Sequence, residues 1–408
     1  MTMIQDAIVP TLDPGKSLSN FQKRAAAGFT GFPNKKNENW LYWAPNDTLI
    51  QALKTPLRSD DNRNSRTNSG ADIDIINGQL VYNKDIAGLE LSLNPDLILE
   101  KHPMSVGVET SSLAQLNSIL FEQCVCIRIT QPLTEALRIQ IKADFSQEQA
   151  SAVNRIIVLA EEQTSAVISV IHEQEIPESS TVNTFFENIG LKNSSVQITH
   201  VFESVNNHHF FHNPVHLYEG ASCEQVRVVK GSKMNRQDTE FNFHGENASG
   251  KLQGIALLGD DNQNFNHLKV NHHVKNCVCV QNFKCLLADK AFSEFSGLVN
   301  VKAGAHGTSS TQSNKNLLLS DSARVISRPQ LMIDADDVEC GHGSIIGQLN
   351  PEEIHYIRSR GLSESQAKAL LTLGFAEEII NEISDKNLKY DLIQYLHKRL
   401  PSFLENAN

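Results

Sequence analysis

The chain has 408 residues, enough for a large core or for two to three domains. Its formal net charge of −11 argues against a phosphate-binding surface and a polybasic membrane patch, so no nucleic acid and no membrane is expected as a partner. The first residues, MTMIQDAIVPTLDPGKS, lack a basic segment followed by an apolar run, and no apolar run nears the ~20 residues that span a bilayer, so the expected location is the cytoplasm.

Residues 1–120 read as a helical to mixed region. Leu18, Phe21 and Ala25 recur at helical spacing, NENWLYW carries both tryptophans, Trp40 and Trp43, as local anchors, and Asp47 to Leu53 suggests a short helix. The polar run SDDNRNSRTNSGAD reads as an exposed loop or linker. IDIINGQLVY is a hairpin about Asn77-Gly78, and Leu89, Leu91 and Leu93 continue the alternation. A helix from Ser112 carries a capping box to Gln115, with Leu113, Leu116 and Leu120 on one stripe.

From residue 121 to 346 the pattern is one short alternating run after another, among them CVCIRIT, RIIVLA, SVQITHVFE, TEFNFH and CVCVQNF, with polar punctuation between them. Coils of a parallel β-helix accommodate such irregular turns better than a sandwich does, although no clean repeat period is visible. A large sandwich or two stacked β domains remain the alternatives. Seven cysteines are an odd number in a large chain and are expected as thiols. The pairs Cys124/Cys126 and Cys277/Cys279 lack the C-x2-C partner of a zinc site and read as small buried hydrophobes. Nine histidines between His200 and His273 invite a metal reading, but neighbours in a strand alternate faces, so polar ladders or a subunit interface are the simpler expectation. Asn262, Asn264, Asn266, Asn271 and Asn276 suggest stacked amides.

The stretch Ser327–Leu349 ends the β region. After Pro329 the residues alternate as a strand, and Asp336, Asp337, Cys340 and His342 follow within a few residues. Cys340 and His342 are spaced i, i+2, so an extended backbone turns the thiol and the imidazole to one side. Two ligands on one strand cannot close a tetrahedral shell, and adjacent aspartates diverge. Residues 347–408 return to helix: Asn350 as cap, Pro351 at N1 and Gly361 as the stop, then a capping box from Ser363 to Gln366. A stripe of Ala367, Leu370, Leu371, Gly374, Phe375, Ile379, Ile380 and Ile383 follows, and a third helix is expected to end before Pro401. These helices cap the β body or present a face to a partner. P-loop, GxGxxG, HExxH and GxSxG templates are absent. The alternative of a β-helix enzyme cleaving polysaccharide would draw on Asp336/Asp337 or Asp260/Asp261.

NLLLSDSARVISRPQLMIDADDVECGHGSIIGQLNPEEIHYIRSRGLS, residues 316–363, resembles the C-terminal signature of the SufB/SufD family of iron–sulfur cluster assembly proteins. Its DDV-x-C-x-HG core and Y-x-R-S-R-G helix end are both intact, and NENWLYW is similar to that family's E-x-W-x-Y element on the SufD side. The resemblance implies a mainly β protein: a right-handed parallel β-helix core, residues 121–346, between N-terminal and C-terminal helical regions. It further implies a non-catalytic scaffold role, with the core pairing with a SufB-like paralogue and residues 347–408 docking a SufC-like ABC ATPase. A homodimer is possible for the isolated chain. Cys340 and His342 match positions at the paralogue interface and become candidate ligands for a transient iron–sulfur cluster or iron, His342 being the better. Tyr356, Arg358, Arg360, Leu370, Leu371 and Phe375 become candidates for ATPase contact. No nucleotide is expected on this chain, and flavin is left open. The departures are Gly341 where serine is common and Ile345-Ile346 in place of a smaller pair.

Overall fold

The structure is a computed structural model that describes residues 20–29, 31–57, 70–93, 95, 111–145, 148–175, 177–205 and 207–405. The opening residues, Leu18 and most of the polar run 59–72 lie outside the described residues.

Nineteen strands follow one another: β1 (Ile73–Ile76), β2 (Gln79–Asn83), β3 (Leu89–Ser92), β4 (Val125–Ile129), β5 (Leu137–Ala143), β6 (Ser151–Ala160) and β7 (Ser165–Glu175) among the described residues. Next come β8 (Thr181–Gly190), β9 (Ser195–Val205), β10 (His208–Leu217), β11 (Ser222–Val229), β12 (Met234–Phe243) and β13 (Ser249–Leu258). The last are β14 (Gln263–His272), β15 (Val278–Leu287), β16 (Phe292–Val301), β17 (Thr308–Leu318), β18 (Arg324–Ile333) and β19 (Val338–Gly347). From β4 onward they alternate between two sheets, ordered β19-β17-β15-β13-β11-β9-β7-β5-β1-β2 and β18-β16-β14-β12-β10-β8-β6-β4-β3. Neighbours pair in parallel except β1 with β2 and β3 with β4, so the body is a parallel β-solenoid of about 7 turns. The sandwich alternatives are thereby excluded.

A repeat does exist in the backbone. Gln163, Asn193, Gly220, Asn247, Asn276 and Gly307 all have φ between 55° and 70°, and each donates its N–H to a carbonyl of the next turn. They recur at steps of 27 to 31 residues. The sequence concealed this period because the left-handed corner is filled by glutamine, asparagine or glycine in turn. Gly307 shows the constraint: a Cβ there would lie 2.3 Å from Asn276 Oδ1, at φ +70°. Gly307→Ala is expected to cost about 1–3 kcal/mol, read as a lower denaturant midpoint at unchanged slope.

The two ends of the solenoid differ. At the start, the hairpin β1–β2, turned at Asn77 (φ 50°) and Gly78 (φ 79°) as its sequence demands, and antiparallel β3 close the sheets. At the finish, β18 and β19 have no strand beyond them among the described residues.

The helices cover the outer faces. α1 (Asn20–Gly28), a 3-10 turn (Glu38–Trp40), α2 (Asp47–Lys54) and α3 (Ser112–Leu120) lie on the even-numbered sheet, where Trp40, Leu53, Leu113 and Leu116 pack with Phe210, Met234 and Phe265. Asn117, fully buried, donates to the carbonyls of Asn154 and Asn183, both at 3.0 Å, and fixes α3 to β6 and β8. The capping residue of α3 is Ser111, not Ser112, and it makes no capping hydrogen bond; burial of the helix carries it instead. At the other end come α4 (Pro351–Ser359), α5 (Glu364–Ile380) and α6 (Lys386–Glu405). α4 is capped by Asn350 and stopped at Gly361, and α5 begins in the Ser363/Gln366 capping box, both as the sequence predicts.

α5 and α6 cap the odd-numbered sheet, where Ile379, Ile380, Leu396 and Leu400 pack against Val226, Ile255 and Leu286. Full burial of each such side chain is worth about 1.5–3 kcal/mol. The expected end of the third helix before Pro401 is corrected: α6 continues to Glu405. Phe403, 5% exposed, is held in the same apolar cluster and keeps the last turn helical despite the lost N–H.

Candidate functional site at the open end of the solenoid

Register fixes where Cys340 and His342 point. In β19, Cys340 pairs with Ser310 and His342 with Gln312 of β17, and Ser310 and Gln312 are 0% and 2% exposed in the solenoid interior. Cys340 thus extends an inward column of Cys223, Gly250, Cys279 and Ser310, and His342 extends Gln225, Leu252, Gln281 and Gln312. The i, i+2 reading holds: both occupy one side of the strand. With no rung above among the described residues, Cys340 is half-buried, packed on the cluster of Leu252, Cys279 and Phe295, and His342 is exposed.

Burial pushes the Cys340 thiol up from its ordinary value, against a hydrogen bond from the Ser310 backbone. It therefore stays protonated at neutral pH and loses its proton only to a base or a bound cation. Asp336 and Asp337 lie exposed in the turn before β19, where the Asp337 carbonyl accepts the Gly307 N–H at 2.7 Å. Among the described residues no group of three His, Cys, Asp or Glu side chains is placed to hold a metal ion.

The rest of the last rung is apolar where it meets solvent. Met332, Ile333, Ile345 and Ile346 are 54%, 40%, 61% and 48% exposed. Ser344 bridges the two final strands through Ser327 at 2.8 Å, and Ser327 in turn reaches Asn314 at 2.8 Å. An uncovered sheet edge with an apolar rim is a surface that pairs with another chain.

The histidines divide by face. His172, His200 and His209 are fully buried among Phe186, Phe202 and Phe211 in the solenoid interior. His212, His216, His244, His267 and His273 line a cleft of about 570 Å³ on the outer face of the even-numbered sheet, beside Trp40. Sequence reading missed the network there. Arg236 contacts Asp238 at 3.0 Å, His267 at 3.3 Å and the Asn39 carbonyl at 2.9 Å, and its guanidinium stacks 3.7 Å from the centre of the Trp40 ring. His267 faces Glu294 at 3.6 Å, and Glu294 binds Arg328 on the last rung. These partners stand one turn apart, so only the hidden repeat would have aligned them. The cleft's nearby carboxylates are engaged: Asp238 by Arg236, and Glu240 by Lys269 at 3.0 Å and Asn271 at 2.8 Å. Of the asparagines expected to stack, only Asn271 joins an amide ladder among the described residues, linked to Asn242 at 2.9 Å and to Asn300 at 3.2 Å.

On the C-terminal helices, the predicted stripe splits. Ala367, Ile379, Ile380 and Ile383 are buried, whereas Leu370 is 51% exposed and Leu371 and Phe375 are half-buried, the Phe375 ring lying under Lys284 at 4.4 Å. α4 buries none of its side chains. Tyr356, 60% exposed, accepts a hydrogen bond from Arg360 at 3.0 Å, and Arg358 pairs with Glu364 at 3.2 Å.

The fold and this end define a β-solenoid closed at its first rung and open at its last, with helices on both outer faces. Residues 143–375 match the family described as SUF system FeS cluster assembly, SufBD core domain. The chain belongs to this family of iron–sulfur cluster assembly proteins, and within it is most like SufD. It is 26% identical to the iron-sulfur cluster assembly protein SufD of Escherichia coli (strain K12), over 91% of this chain and 90% of that one. It is 24% identical to SufD of Bacillus subtilis (strain 168), over 74% and 70% of the two chains. An iron-sulfur cluster assembly SufBD family protein of Mycobacterium tuberculosis (strain ATCC 25618 / H37Rv) is 27% identical over 68% and 71%. No helix among the described residues is long and apolar enough to cross a membrane.

Proposed function

We propose that the chain is a SufD-like, non-catalytic scaffold subunit for iron–sulfur cluster assembly in the cytoplasm, pairing through its last rung with a SufB-like paralogue. The observation that carries this reading is the placement of Cys340 and His342 on an uncovered solenoid edge rimmed by Met332, Ile333, Ile345 and Ile346. Another solenoid edge set against it would sheathe the apolar rim and add the ligands that one strand lacks. The cluster, or iron on its way to one, is cargo. His342 offers an imidazole nitrogen, and Cys340 becomes a thiolate as cation binding displaces its proton. A mixed thiolate and imidazole set suits a cargo that must later leave. In isolation the same edge would pair two copies of the chain.

α4 and the exposed side of α5 dock a SufC-like ABC ATPase, with Tyr356, Arg358, Arg360 and Leu370 as the contact face and Leu371 and Phe375 behind it. Closure of that partner would pull on α4, which joins β19 within a few residues. Removing residues 347–408 would strip the cover from Val226, Ile255 and Leu286, so point variants are the cleaner test. Tyr356→Ala with Leu370→Asp, both at exposed positions, is expected to lower the ATPase recovered by co-purification at least about tenfold. The melting temperature should be unchanged. Full recovery of the ATPase would reject this docking face.

A further inference from the structure

A guanidinium sits inside the solenoid without a counter-charge. Arg227, in β11, is 1% exposed and heads the largest fully buried side chains. Its donors reach four neutral oxygens: Asn213 at 2.7 Å, Gln225 at 2.9 Å, Gln237 at 3.4 Å, and the Thr239 hydroxyl. Its Nε is buried with no hydrogen-bond acceptor, and no carboxylate is among the groups acting on it.

The ionisable neighbours do not neutralise it. Burial pushes the Cys223 thiol up to about 12, so no thiolate forms at neutral pH. Burial, together with Arg227 itself, lowers His172 and His200 well below their ordinary value, and they stay uncharged. Arg227 is lowered to about 9 by the same desolvation and remains a cation at pH 7. The Phe211 ring, 5.4 Å from the guanidinium carbon, supplies only its quadrupole. A lone buried charge is among the most costly features a core can hold, and proteins carry one where an ion of opposite sign completes it.

The space for such an ion adjoins it. A cavity of about 20 Å³ is lined by Arg227, Gln237, Asn264, Asn266, Ser293 and Asn314, together with Phe283 and Lys284. These polar lining residues are all 6% exposed or less. Lys284 spends its charge outward on Glu378 of α5 and on the Phe375 carbonyl at 2.9 Å. A volume of one or two water-sized spheres admits a monatomic ion and refuses sulfate, phosphate or a carboxylate metabolite.

We propose that Arg227 binds a small monovalent anion of halide size, chloride in the cell, within the solenoid interior. This site is separate from the open rung and stands whether or not the assembly reading does. Because the ion binds the folded chain alone, it stabilises by mass action and saturates.

The test uses the full chain in sodium gluconate, with sodium bromide replacing gluconate at constant ionic strength. A saturable rise of several degrees in the melting temperature is expected, and crystals grown in bromide should show an anomalous peak within hydrogen-bond distance of Arg227. Arg227→Met should abolish the rise. If that variant does not fold, the native chain still decides. Identical melting temperatures in bromide and gluconate, or no bromide peak in the cavity, would overturn the proposal.

Discussion

Between pH 6.5 and pH 4 the folded chain is expected to lose most of its stability. Burial pushes His209 and His216 down to about 3, and His212 and His272 down to about 4. His212 is lowered despite the nearby Asp238 carboxylate, and His216 is lowered further by its neighbour His244. In the unfolded chain each imidazole titrates near 6.5. Below that value the unfolded state takes up protons that the folded state refuses, so stability is fully present above about pH 6.5 and drains as pH falls toward the folded values. At pH 5 each histidine costs about 2 kcal/mol, and the four together about 8 kcal/mol, comparable with the whole stability of a typical domain. Urea unfolding at pH 7.5, 6 and 5 checks this. A stability at pH 5 within about 1 kcal/mol of that at pH 7.5 would show that these imidazoles reach water in the folded state.

The double variant Ile345→Asp, Ile346→Asp is expected to weaken pairing with a SufB-like partner at least about 100-fold while leaving the isolated chain folded. Both side chains already stand in solvent, 61% and 48% exposed, so the carboxylates cost the monomer little. In a paired edge they would be sheathed together with Met332 and Ile333, and two uncompensated charges in that rim are prohibitive. Size-exclusion chromatography of the mixed subunits reads the loss, and circular dichroism of the variant alone guards against misfolding. An unchanged affinity would place the paralogue elsewhere on the molecule.

What could be read from the sequence was what is decided locally. The hairpin at Asn77-Gly78 needs two left-handed residues, and Asn-Gly supplies them. Asn350, Pro351 and the Ser363/Gln366 box start α4 and α5 where their hydrogen bonds require. Cys340 and His342 share a side of β19 because any strand places i and i+2 so.

What escaped was set by residues one turn apart. The corner column from Gln163 to Gly307 changes residue type at nearly every turn. Arg236, His267, Glu294 and Arg328 come together only through strand register. Strands β6 and β8 are buried along their whole length, since the solenoid interior lies on one face and α2 and α3 contact the other. Polar residues such as Arg155, bonded to Ser118, and Asn183, bonded to the Leu113 carbonyl, therefore sit buried where alternation would have assigned solvent. Leu370 shows the reverse: helical spacing placed it on the apolar stripe, yet it stands 51% exposed while Ile379 and Ile380 of the same helix are buried.

The proposed role of the last rung is that of half a cluster site completed by a partner. It is tested most directly by His342→Ala in the co-expressed complex with SufB-like and SufC-like subunits, reading the visible absorption of the cluster per complex after anaerobic reconstitution. His342 is exposed on an edge with no strand above it among the described residues, so its removal should leave complex yield normal and reduce the cluster absorption several-fold. Normal yield with undiminished cluster absorption would contradict the account and remove His342 from the site.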